Sequence, residues 1–175
     1  MRKLIAVSIA AFALIAGAAQ AAAPEPRKPI DIPRFMGRWY EILRTPSGPL
    51  KNCFAANQVW SQKPDGEFAI VQRCNRGARD GPERVVQTKA KILNAPENTK
   101  FEASFFAGLI RQKYWVIDHG DDYGWMIAST AGGGFVTLLS RQPGLPEKDQ
   151  ARLKARIAAL GFDTSQLEAV GTRLD

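Results

Sequence analysis

One histidine and two cysteines are the only imidazole and thiol groups in this 175-residue chain. A structural zinc site takes about four such ligands, so these three do not make one. No metal site and no cofactor motif is expected. A Ser-His-Asp or Cys-His nucleophilic centre would rest on His119 alone. His119 opens the run His119-Gly120-Asp121-Asp122 and reads as a solvated turn residue. Asp121 and Asp122 are adjacent, and successive side chains of an extended chain point apart. They read as an acidic turn, not as an acid/base pair. Gly132-Gly133-Gly134 has no following Lys and opens a strand, so it reads as a hairpin and not as a phosphate cradle. These residues give catalysis no foothold, and the chain is expected not to be an enzyme.

Cys53 and Cys74 lie 21 residues apart, with Lys63-Pro64-Asp65-Gly66 near the midpoint. Folding the chain at that turn brings the two sulfurs face to face on neighbouring antiparallel strands. A disulfide is expected, worth roughly 3 kcal/mol in the loop-entropy picture; the rival is a reactive thiol. A bridge needs an oxidising compartment, and the N-terminus points to one. Met1-Arg2-Lys3 is basic, Leu4 to Ala16 is apolar, and Ala19-Gln20-Ala21 is a small-residue cleavage site. Cleavage is expected after Ala21, or else after Ala23. The apolar run falls short of the roughly 20 residues that span a bilayer. No Cys follows it to carry a lipid anchor. The chain thus divides into a leader (1–23), an extended Pro-rich lead-in (24–34) and one domain (35–175), periplasmic or secreted and not a lipoprotein.

Composition bounds the class. Hydrophobic residues make up 45% and charged residues 23%, as in a globular domain, which excludes a disordered or fibrous chain. Losing Arg2 and Lys3 with the leader lowers the formal charge from +7 to +5. That excess is spread out, with no basic stripe interleaved with aromatics, so nucleic acid is not an expected partner. It suits peripheral contact with an anionic membrane only weakly. Oligomeric state is not addressed by the sequence.

From Gly37 to Arg141 the hydrophobic period is two. Strands are expected at 39–43, 54–60, 68–73, 85–92, 101–106, 114–117, 125–130 and 135–140, separated by Gly, Pro, Asn and Asp clusters. Eight short strands suit a sandwich or an up-and-down barrel, and a meander without long crossovers favours the barrel. After Pro146 the period changes. Leu153, Ile157 and Leu160 mark one amphipathic helix ended by Gly161, to be packed on the outside of the sheet. Its Arg152, Lys154 and Arg156 read as a solvated face. Leu167 to Val170 is short enough to return to the sheet.

Three motifs occur in order. Gly37-Arg38-Trp39-Tyr40-Glu41 resembles the Gly-x-Trp-Tyr-Glu motif of the lipocalin family. Tyr114-Trp115-Val116-Ile117, an acidic turn and Trp125 are similar to the family's strand-turn-strand signature. Leu138-Leu139-Ser140-Arg141 resembles its last strand. The bacterial subgroup related to apolipoprotein D is the nearest in pattern. The resemblance implies an all-β, eight-stranded antiparallel up-and-down barrel with one C-terminal α-helix outside. It also implies that Arg141 stacks on Trp39 at the barrel floor beside Gly37, making these three structural. The implied partner is a small hydrophobic ligand, a fatty acid or lysophospholipid, held in the barrel. Rival readings are a lipid-modifying enzyme on the same scaffold and an interaction module with an empty barrel.

Alternation names the expected lining. With Trp39 inward, Glu41 and Leu43 follow it. Phe101, Ala103 and Phe105 share a face, as do Tyr114 and Val116, and Thr137 and Leu139; Met126 joins them. The expected cavity is apolar with sparse polar groups, and Ala90, Ala103 and Ala128 leave room in it. Intact mass should not change when the unreduced protein is treated with an alkylating agent; a shift would show free thiols at Cys53 and Cys74.

Overall fold

The computed structural model describes residues 22–171. Residues 1–21 of the expected leader lie outside the described residues. Ala23 is buried, and its N–H donates to the Ala131 carbonyl at 3.1 Å.

One helical turn, α1 (Ile32–Phe35), leads into β1 (Gly37–Arg44). The meander continues through β2 (Cys53–Gln62), β3 (Phe68–Arg76), β4 (Glu83–Ile92), β5 (Lys100–Phe105), β6 (Ile110–His119), β7 (Trp125–Thr130) and β8 (Val136–Ser140). Helix α2 (Glu147–Ala159) and a two-residue strand, β9 (Glu168–Ala169), follow. Each strand pairs antiparallel with the next, and β1 pairs with both β8 and β2, so the eight-stranded sheet closes. Closure removes the edges that would otherwise expose unpaired backbone groups. Because strands alternate in direction, the turns at 63–67, 93–99 and 120–124 lie at one end, the floor. The loops at 45–52, 77–82, 106–109 and 131–135 lie at the other, the mouth.

Burial follows the two faces of the sheet. Trp39, Trp60, Phe68, Ile70, Phe101, Val116, Met126 and Leu139 pack together inside. Ile42, Ile117, Ile127 and Leu138 face outward and are covered by Leu153 and Ile157 of α2. Cys53 on β2 is disulfide-bonded to Cys74 on β3, with Cα atoms 5.4 Å apart.

The β1–β2 seam closes on itself only toward the floor, from Gly37↔Trp60 to Tyr40↔Asn57. Nearer the mouth β9 fills the gap. Val170 N–H donates to the Ile42 carbonyl on β1, and Ala55 N–H on β2 donates to the Val170 carbonyl. The chain after α2 thus completes the barrel wall.

The lead-in differs from the extended segment expected at 24–34. It ends in α1, whose first turn is capped by the Asp31 carboxylate accepting from Arg34 N–H. Ile30 and Phe35 are driven into the lower core, where an extended strand passing outside would leave them in water. Trp39 is fully buried, and its indole N–H donates to the Phe35 carbonyl at 2.9 Å. The Arg141 guanidinium lies 3.7 Å from the Trp39 ring centre and donates to the carbonyls of Arg34, Phe35 and Arg38. Gly37 sits beside it at φ +97°, where an added Cβ would be strained and 3.4 Å from Arg141 Nη1.

Arg141→Ala removes one cation–π contact and three hydrogen bonds, about 2 kcal/mol together. The melting temperature should fall by roughly 4–8 °C, while affinity for a lumen ligand changes little. A variant that melts like the wild type but loses its ligand would contradict this structural assignment.

Candidate functional site

The lower half of the lumen is solid. Phe35 stacks on Phe101 at 5.7 Å, and Trp60 meets both edge-on at 5.1 and 5.2 Å. Phe68 closes the group at 5.7 Å from Phe101. These are the spacings at which aromatic rings attract beyond their area burial. Large rings arriving from four strands and α1 leave a floor, not a channel.

Above the floor the lining turns polar. Cross-strand partners share a face. Trp39 pairs with Gln58, Gln58 with Gln72, and Gln72 with Val86. Ile70 pairs with Thr88, Ala103 with Gln112, and Tyr114 with Thr130. Gln58, Gln72, Gln112 and Thr88 therefore point inward with the aromatic core. Gln58, Gln72, Val86, Gln112 and Tyr114 are only half-buried despite facing inward, so the upper lumen is reachable by solvent. Trp60 Nε1 and Thr88 Oγ1 are buried with no hydrogen-bond partner among the described residues. Both face the lumen, and buried polar atoms of that kind need a partner.

One wall carries a charged network. The Glu41 carboxylate accepts from Arg44 at 2.8 Å and from the Thr137 hydroxyl at 3.1 Å. Arg44 is itself buried and also donates to Glu168 and to the Leu50 and Cys53 carbonyls. Its guanidinium thus ties the β1–β2 loop and β9 to β1. Burial pushes the Glu41 carboxyl above its ordinary value of 4.5, with Arg44 and Thr137 pulling the other way. Burial, with Glu41 adding to it, raises the Tyr114 hydroxyl. Two concavities, of about 410 and 200 Å³, flank the seam. One lies between the β1–β2 loop and β9, the other beside Arg38, Tyr40 and Asn57.

The structure brings Phe101, Ala103, Phe105, Tyr114, Val116, Met126 and Leu139 together inside, with Glu41 and Thr137 hydrogen-bonded beside them. Leu43 is not among them. The β1–β8 register slips between Glu41↔Leu139 and Leu43↔Leu138, and the inserted Ile42 turns Leu43 outward into the α2 cluster. Beside the expected residues, Gln58, Gln72 and Gln112 also face inward. The apolar rings are spent on the floor, and the reachable upper half carries three glutamines, a glutamate and a tyrosine.

His119 is buried rather than solvated. Its ring stacks on Tyr123 at 4.7 Å, and its nitrogens lie 2.9 Å from the Gly120 carbonyl and 3.2 Å from that of Pro29. It fastens the lead-in under the floor. Phe35, Trp60 and Arg44 escaped sequence reasoning. Extending the alternation Phe68, Ile70, Gln72 past its first polar residue would have found the glutamine row.

A closed up-and-down barrel with a plugged floor and an accessible upper lumen is the architecture of a small-ligand container. The lipocalin-like domain family matches residues 30–172. Mouse apolipoprotein D is 28% identical over 152 residues, covering 82% of this chain and 78% of that protein. The outer membrane lipoprotein Blc of Escherichia coli K12 is 25% identical over 169 residues, covering 93% and 92%. In fold alone, the cockroach allergen Per a 4 superposes with a TM-score of 0.66 at 12% identity, covering 87% of this chain and 95% of that one. The chain belongs to the lipocalin family, whose members bind small hydrophobic ligands and are generally not enzymes.

Arg44→Met leaves Glu41 buried without its cation, a loss of about 3 kcal/mol while Glu41 is ionised. Without Arg44 the Glu41 carboxyl rises further and takes up a proton in the folded state. The folded protein then binds more protons than the unfolded one above pH 4.5, so the variant gains stability as pH falls. Denaturant titrations at about pH 8 and about pH 5 should show the larger deficit at the higher pH; an equal deficit at both would contradict the network.

Proposed function

We propose that the protein binds and carries an amphipathic lipid of fatty-acid or lysophospholipid size in the upper lumen, outside the cytoplasm. The observation that carries this reading is the lumen's division into an aromatic floor and a half-exposed polar waist. The acyl end rests on Phe101, Val116 and Met126. The polar end lies among the inward-facing Gln58, Gln72 and Gln112, whose amides donate and accept. Burying ten methylenes contributes roughly 8 kcal/mol, which association costs of about 4–15 kcal/mol largely offset.

The oxidised Cys53–Cys74 pair and the basic-apolar leader support a periplasmic or secreted location. So does the likeness to a protein named as an outer membrane lipoprotein.

Delipidated protein should bind a fluorescent fatty-acid analogue with one site. Val86→Trp should weaken that binding at least about tenfold by filling the upper lumen, with the far-ultraviolet circular dichroism unchanged. A wild type that never responds to the analogue ends this reading.

A further inference from the structure

The floor end buries its aromatics, and the mouth does the opposite. In the loop joining β5 to β6, Leu109 is 87% exposed, Phe106 68% and Ile110 53%. Isolated exposed apolar residues need no explanation, but a contiguous group at one tip does. Its backbone holds the group outward. Phe106, Ala107 and Gly108 have φ of +50°, +56° and +96°, three successive left-handed residues of which two are not glycine. Such a conformation persists only where the flanking structure imposes it, here the Phe105↔Ile110 pair that closes the hairpin.

The mouth also carries an excess of positive charge. Its loops and the strand ends beside them carry Lys51, Arg76, Arg79, Arg84 and Arg111 against Asp80, Glu83 and Glu168, of which Glu168 pairs with Arg44, and Arg111 lies 3.7 Å from Glu102. Glu83 already answers Arg73 at 3.2 Å. Counted the same way, the floor turns and the strand ends beside them carry Arg38, Lys63, Lys91, Lys100 and Arg141 against Asp65, Glu67, Glu97, Asp118, Asp121 and Asp122, with Lys28 and Arg34 of the lead-in beside them, so the floor is close to neutral. An apolar tip inside a basic ring is the pattern of a surface that meets an anionic lipid interface, where apolar insertion and cation attraction add. The basic residues of α2 are less suited. Arg156 is committed to Asp118 and Arg152 to Asp149.

We propose that the β5–β6 hairpin tip docks the barrel, mouth first, onto an anionic phospholipid surface, with Phe106 and Leu109 as the inserting residues. The docked lumen opens toward the lipid, and docking itself does not require the lumen to hold a ligand.

Sedimentation of the purified protein with vesicles tests this. Vesicles containing about 30% phosphatidylglycerol should bind it at least about tenfold more tightly than phosphatidylcholine alone, and added salt should weaken the binding. Phe106→Ser with Leu109→Ser should lose at least about tenfold in vesicle affinity. Both side chains are already in water, so the melting temperature and the response to a fluorescent fatty acid should stay put. Arg152→Gln with Lys154→Gln should bind vesicles as the wild type does. The proposal is overturned if the wild type binds neither vesicle, if the tip variant binds like the wild type, or if the α2 variant is the one that loses binding. Tip-dependent self-association in sedimentation equilibrium would also overturn it, since the patch would then cover a second copy. A protein that binds vesicles but no fatty acid would keep this proposal and lose the lumen reading; the reverse would do the opposite.

Discussion

Arg141 lies over the Trp39 ring, and the barrel's floor hangs on that contact. The indole fills the bottom of the lumen, and the guanidinium seals it while tying the end of β8 to the carbonyls of α1 and β1. A sheet that must curl into a barrel has one costly step, the meeting of its first and last strands after a long chain excursion. Here β1 meets β8 and β2 within a few residues of that stack. Gly37 is required because its backbone is left-handed at the point where the guanidinium passes.

What the floor consumes determines what the lumen has left. Five large rings are packed into the lower half. The inward rows nearer the mouth hold amides, a hydroxyl and one carboxyl that is ion-paired to a buried arginine. The interior is graded along its axis, from aromatic to polar. A hydrocarbon has no use for the upper half, and a polar solute has none for the floor. A molecule with both characters satisfies each, which is the ground on which we propose an amphipathic lipid rather than a simple apolar one. Arg44 adds a mechanical role. By holding the β1–β2 loop and Glu168 it keeps the seam shut where β1 and β2 have parted.

The strand series, the single outer helix and the Cys53–Cys74 bridge were legible because each rests on a local or short-range signal. These are period-two runs between turn residues, a Leu-Ile-Leu stripe, and two cysteines flanking one turn. The short return at 168–169 was legible as an apolar remnant with nowhere else to go. The misreadings share a cause as well. Alternation assumes an uninterrupted strand, and the slip after Glu41 sends Leu43 to the wrong face without changing any residue type. Phe35, the first residue of the expected domain, was not picked out as core because nothing local says that α1 will fold under the barrel. His119 looked solvated for the same reason: its cover, Pro29, comes from 90 residues away. Reading inward faces only from apolar residues hid the glutamine row, which alternation alone already contained.

The central claim is that a lipid lies in the lumen with its chain against the aromatic floor and its polar end toward the mouth. Proton–proton transfer in nuclear magnetic resonance, with an isotope-labelled fatty acid bound to the delipidated protein, tests it most directly. The account predicts cross-peaks from the terminal methyl to the Phe101 ring and the Val116 and Met126 methyls, with the carboxyl end near Gln72 or Gln112. Cross-peaks confined to outward residues such as Tyr40 and Leu160, or a reversed polarity with the carboxyl at the floor, would contradict it.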